Sequence, residues 1–237
     1  MTAGPLGRFL ELALPAPDLL ATWHALHGLG FAEAPTTDAR PAGYAAFSDG
    51  RVALGLHQQA TVPELVFVRP GLQQAAASIA AAGLEPTEWK LGENTAHELA
   101  FLLPGGPGIR VLEARTFSPP SPGVSAATGW FTELMLPVTD PSAAANVLEA
   151  LGFVCLGEEA MPVPHLALTS DTLNVGLYRH RALQRPGLLF QTSELAALQV
   201  AAERAGLDAL PAPDGVEGDV LLLRLPEGTP LWIMLDA

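Results

Sequence analysis

The sequence predicts an α+β fold assembled by duplication, and three observations carry that prediction. First, the segment FLELALPAPD at residues 9–18 returns as FTELMLPVTD at residues 131–140, an offset of 122 residues, and the same offset superimposes Leu29-Gly30-Phe31 on Leu151-Gly152-Phe153 and Ser48-Asp49 on Ser170-Asp171. After one residue is lost, Gly55-Leu56 matches Gly176-Leu177; after two are gained, Ala82-Gly83-Leu84 matches Ala205-Gly206-Leu207. Second, within each copy, stretches of period-two apolar alternation are separated by stretches of helical periodicity. Third, TFSPPSPGVSAATG at residues 116–129 is rich in Pro, Ser, Gly and Ala, lacks either period, and reads as a linker. The predicted organisation is a first domain over 1–117, a linker over 118–129 and a second domain over 130–237.

The elements follow in order. Residues 9–15 alternate as a strand, with Leu10, Leu12 and Leu14 on one face and Phe9, Glu11 and Ala13 on the other. Asp18 is placed to cap a helix through LLATWHALHGLGF, which stops at glycine. GYAAFSDG and RVALGLHQ predict a hairpin around Asp49-Gly50. ELVFV then reads as a strand, LQQAAASIAAAGL as a helix ending at Gly83, and HELAFLLPGG with IRVLEA as a second strand pair. The second copy repeats this order with ELMLPV, SAAANVLEALGF, HLALTSD, LNVGLYR, GLLFQ, SELAALQVAAERAGL, DVLLLRL and LWIMLD.

Composition narrows the function classes. Twelve Lys and Arg against 25 Asp and Glu give a net charge of −13, with the bases scattered, so neither nucleic acid nor an anionic membrane is an expected partner. No apolar run approaches the ~20 residues of a membrane span, and the N-terminus does not read as a signal peptide, so the expected location is cytoplasmic. Cys155 is the single cysteine, which excludes an internal disulfide and a cysteine-based zinc site. Neither a Gly-rich phosphate loop nor a serine nucleophile elbow is present; GGPG at 105–108 sits between strands and reads as a turn.

The strand into Pro17-Asp18, the helix closing on Leu29-Gly30-Phe31, Asp49-Gly50 before a strand and Pro104-Gly105-Gly106 before IRVLEA together resemble the vicinal oxygen chelate superfamily, which includes glyoxalase I, extradiol dioxygenases and bleomycin-resistance proteins. The resemblance implies four βαβββ modules forming two tandem domains, each with a cup-shaped sheet that in relatives often holds a divalent metal through residues of the first and last strands. Carried onto this chain, the first-strand ligand position falls on Glu11 and Glu133, the last-strand position of the first module on Gly55 and Gly176, the second module's first-strand position on Pro63 and Pro186, and its last on Arg110 and Ile233. Glu113 and Asp236 lie an odd number of residues from Arg110 and Ile233, so they should face away. Each half thus keeps one expected ligand, and the expected site is metal-free; a divalent metal, if held, would use Glu11 or Glu133.

The candidate ligand-binding residues are Glu11, His57, Arg110 and His97 in the first half and Glu133 with Tyr178 in the second. Arg110 would either pair with Glu11 or anchor an acidic group of a ligand beside Glu11 or His57. Glu133 lacks a matching Arg, so it should be solvated, have a raised pKa or meet a donor. The expected function is that of a glyoxalase- or bleomycin-resistance-like protein binding a small organic molecule, as a monomer or weak homodimer. The alternatives are a metal-dependent lyase, isomerase or dioxygenase, and a purely structural protein whose cups are filled by their own side chains.

Overall fold

A computed structural model describes residues 4–34, 42–90, 92, 97–114 and 126–236. The first half contains β1 (Arg8–Pro15), α1 (Leu19–Gly28), β2 (Ala32–Glu33), β3 (Tyr44–Ser48), β4 (Ala53–His57), β5 (Glu64–Arg69), α2 (Leu72–Ala81), β6 (Pro86–Lys90), β7 (Glu98–Leu102) and β8 (Gly108–Glu113). The second contains β9 (Trp130–Pro137), α3 (Pro141–Ala150), β10 (Val154–Glu159), β11 (His165–Thr169), β12 (Asn174–Tyr178), β13 (Gly187–Thr192), α4 (Leu195–Ala205), β14 (Leu210–Pro211), β15 (Val220–Arg224) and β16 (Pro230–Leu235). Each half is one eight-stranded mixed sheet, in the orders β2-β3-β4-β1-β5-β8-β7-β6 and β10-β11-β12-β9-β13-β16-β15-β14.

The duplication is therefore structural. In each half two βαβββ modules join through their first strands, which run antiparallel at the sheet centre as β1 with β5 and β9 with β13. Within a module the first strand pairs in parallel with the last. Asp18 and Asp140 cap α1 and α3 by accepting from the N–H groups of Ala21 and Ala143, each at 3.0 Å. The strand that directly follows each helix is an edge or near-edge element that apolar periodicity does not reveal: β2 and β14 span two residues, while β6 (PTEWK) and β10 (VCLGEE) are mostly exposed.

One face of each sheet is leucine-rich and packs on the helices. Leu12, Leu14, Leu54 and Leu56 are fully buried, as are Leu134, Leu136, Val175 and Leu177 at the matching positions. Each such side chain contributes about 1.5–3 kcal/mol relative to exposure. These residues belong to a single apolar cluster that runs through both halves, with Phe31 packed edge-on against Phe190 across the junction. Helices α1 and α4 approach so closely that a Cβ on Gly28 would lie 2.6 Å from Ala205 Cα. Of the expected linker, residues 118–125 lie outside the described residues. Residues 126–129 form a turn whose Ala127 N–H donates to the Leu29 carbonyl at 2.8 Å.

The first strand departs from strict alternation. Glu11 pairs with Val66 but Phe9 pairs with Phe67, a bulge in which two residues oppose one. The expected grouping of Phe9 with Glu11 is thereby overturned: Phe9 turns into the core, edge-on to Phe67. The same shift in β9 sends Phe131 to the core, while Glu133 stays on the other face.

Candidate functional site

The face of each sheet turned away from the helices is the cup. In the first half, Glu11 projects into it from the centre of β1 and is buried, with 3 % of its surface exposed. Its carboxylate reaches over Gly55 of β4, where a Cβ would collide with it. The glycine at this position, where the sequence resemblance implied a ligand, thus clears space for an acid on the neighbouring strand. Tyr44 donates its hydroxyl to Glu11 Oε2 at 2.5 Å, and His57 Nε2 lies 3.0 Å from Oε1. Tyr44 and His57 are direct partners in the β3–β4 hairpin, and their rings meet edge to face with centroids 4.8 Å apart.

The second half holds the same three residue types with two of them exchanged. Tyr178 now stands on β12, where His57 stands on β4, and His165 stands on β11, where Tyr44 stands on β3; the two are again direct hairpin partners. Tyr178 donates to Glu133 Oε1, and His165 Nε2 lies 3.4 Å from the same oxygen, with its ring stacked on that of Tyr178 at 4.4 Å. Gly176 repeats the role of Gly55, since a Cβ there would strike Glu133. His165 Nδ1 sits 2.9 Å from the Val163 carbonyl, which can only accept, so Nδ1 carries the proton and Nε2 faces Glu133.

The two cups differ in what else fills them. Around Glu133 lie Met135, Leu183, Leu189, Leu222 and Trp232 as a separate apolar cluster, so this cup is packed with its own side chains. Burial pushes the Glu133 carboxyl above its ordinary range, opposed in part by His165 and by the Tyr178 hydrogen bond. Burial and the adjacent carboxylate also push the Tyr178 phenol upward. In the first cup the side chain of His57 keeps 29 % of its surface exposed, and the rest of the face is ionic.

Arg110 sits in that ionic part, and the expected Glu11–Arg110 pair does not form. Its guanidinium binds Glu64 through Nε at 2.7 Å and Nη2 at 3.1 Å, Glu88 through Nη1 at 2.8 Å, and Glu98. Lys90 joins the group at Glu88. Register explains the change: Val66, the cross-strand partner of Glu11, is also the neighbour of Arg110, and Glu64 lies two residues from Val66 on the same face. Glu64, rather than Pro63, therefore occupies the cup position of β5. In the second half the matching positions are Gly187 and Trp232, because Leu189 pairs with both Glu133 and Trp232. Ile233, expected at the site, belongs to the core.

His97 does not join the cup. It pairs with Glu113, which faces away from Arg110 as the strand parity requires. Asp236 accepts from Gln191 at the strand end. Tyr44 escaped the sequence reading: a two-residue turn at Asp49-Gly50 would set it opposite Gly55, whereas the observed four-residue loop over 49–52 pairs Ser48 with Ala53 and thereby Tyr44 with His57. His24 and His27 are both exposed and contact Trp23 rather than each other.

A divalent metal needs about three converging N or O donors. Among the described residues no three His, Cys, Asp or Glu side chains converge in that way. Glu11 and His57 supply two, and both Glu11 oxygens are already engaged by Tyr44 and His57. Among the described residues the cups therefore do not assemble such a donor set.

No family model and no curated protein sequence matches the chain. Solved structures do. A catechol 2,3-dioxygenase aligns over 100 % of this chain and 94 % of its own, with a TM-score of 0.62 at 14 % identity. The 2,3-dioxygenase LapB from Pseudomonas sp. KL28 aligns over the same shares, with a TM-score of 0.65 at 16 % identity. An Mn(II)-bound glyoxalase from Novosphingobium aromaticivorans aligns over 98 % of this chain and 82 % of its own, with a TM-score of 0.61 at 13 % identity. At these identities the likeness establishes the fold: the chain has the tandem vicinal-oxygen-chelate architecture of extradiol dioxygenases and glyoxalases.

Proposed function

We propose that this protein is a cytoplasmic small-molecule-binding member of that fold, built of glyoxalase-like domains over 1–117 and 130–237, which binds its ligand in the first cup without a metal. The observation that carries the reading is the saturation of Glu11: where a chelating relative offers a free ligand, this carboxylate is held by Tyr44 and His57. A hydrogen-bonded carboxylate fixes the orientation of the His57 ring, and the exposed part of that ring is the group available to a guest. The second cup, packed by Trp232 and its neighbours, serves the fold.

The ionic face defines the ligand class. Glu11, Glu64, Glu88 and Glu98 outnumber Arg110 and Lys90, and Arg110 is already satisfied by its own acids. A neutral hydrogen-bonding or cationic organic molecule suits this cup; an acid would meet repulsion without a free guanidinium.

The test combines native mass spectrometry with metal analysis on protein purified without chelator. A co-purifying organic molecule, lost in His57→Gln and unaffected by chelator, supports the reading. Stoichiometric iron, manganese, nickel or zinc that disappears in Glu11→Ala would overturn it in favour of a metal-dependent lyase, isomerase or dioxygenase.

A further inference from the structure

A second concavity lies outside the first cup, where the two halves face each other, and borders the second cup through Tyr178 and Leu183. Its first-half wall is the segment before β5 and the β7–β8 turn; its second-half wall is the end of β9 and the loop from β12 to β13. Its volume is about 650 Å³, within the range of small-molecule sites. The turn is seated firmly, since Gly105 has φ 61° and a Cβ there would collide with the Thr139 hydroxyl of the other half.

The charge of this cleft opposes that of the molecule. Arg179, His180, Arg181 and Arg185 all line it, and among the described residues no Asp or Glu does. Three of the chain's 12 Lys and Arg are thus gathered within seven residues of a chain carrying −13. Their partners leave them available. Arg179 has none among the described residues. Arg181 pairs with Asp214, but both side chains are exposed, 77 % and 93 %, and a pair so solvated holds its members weakly. Arg185 donates to a backbone carbonyl, that of Glu227, which leaves its charge uncompensated by an acid at that bond. Clustered guanidiniums whose one acidic partner among the described residues, Asp214, is solvent-exposed are an arrangement that recognises a carboxylate or phosphate through paired N–H donors.

We propose that the cleft between the halves is a binding site for a small organic anion carrying a carboxylate or phosphate group. It is independent of the first cup, whose own acids select against such a molecule. The test is calorimetric titration of the full chain with succinate and, separately, with inorganic phosphate, which distinguishes the two anionic groups. Saturable binding of at least one at about 1 mM or below is expected, weakened about tenfold or more in Arg179→Gln/Arg181→Gln. Arg204→Gln, an exposed base on α4 outside the cleft, should leave it unchanged. No saturation by either anion, or equal weakening by Arg204→Gln, overturns the proposal, the latter because it would reveal only diffuse charge attraction.

Discussion

Glu11 and Glu133 occupy one position of a repeated unit and meet the same two partners, a tyrosine and a histidine, in exchanged places on the paired hairpin strands. The exchange keeps a phenol donor and an imidazole within reach of a buried carboxylate, so the chemistry of the triad survives a change of register position. Its surroundings set the protonation. Glu133, walled in by apolar side chains, has its carboxyl raised by burial above the reference 4.5. A group raised on folding contributes stability that is present below the unfolded value and is lost as pH rises through the folded value. Glu133→Gln removes that loss while keeping an oxygen to accept from Tyr178, so it is expected to stabilise the protein by about 1 kcal/mol at pH 8 and by little near pH 4.5. Thermal melts at the two pH values check this; a large drop in midpoint at pH 8 would show that the charged form is required.

At the scale of elements, what matters is the crossing of one strand's side chain over its neighbour's backbone. Gly55 and Gly176 are needed because the carboxylates of Glu11 and Glu133 lie over them, where a methyl group would collide. Gly55→Ala is expected to cost about 2 kcal/mol. In the double variant Gly55→Ala/Glu11→Ala the collision is gone, so chemical denaturation should show a clearly smaller cost for the glycine change than in the wild-type background. Equal costs in both backgrounds would sink this account. Legibility also varied by element. The central strands and all four helices show their period because each buries a full face, whereas β6 and β10 at or near the sheet edges are mostly exposed and carry no apolar alternation. The bulges in β1 and β9 were equally hidden: Phe9 and Phe131 look, by parity, as if they share the face of the acid, and only pairing with the next strand turns them into the core.

The whole molecule is held by contacts that the duplication makes reciprocal. The β3–β4 hairpin of the first half sends Arg51 over the ring of Trp130 at the start of β9, 3.1 Å from its centroid, and the β11–β12 hairpin of the second sends the Thr172 hydroxyl to the N–H of Phe9 in β1. Glu227, in the last hairpin, accepts from Thr22 of α1 at 3.0 Å, and burial raises its carboxyl in the same sense as Glu133. With these ties and one apolar cluster through both halves, the chain is expected to unfold in a single calorimetric transition whose van't Hoff and calorimetric enthalpies agree. Two resolved transitions would mean that the halves are energetically separate.

The sequence by itself determined the duplication, the α+β class, the four helices, the central strands and the place of Glu11 and Glu133 on them, because these rest on periodicity and on identities repeated at a fixed spacing. The tertiary structure alone decided what those acids meet. Which residue faces which depends on cross-strand register, and a shift of one residue exchanges the two faces of a strand. That is why Arg110 found Glu64 rather than Glu11, why Trp232 rather than Ile233 fills the second cup, and why three arginines share a cleft that forms only when the two halves are brought together.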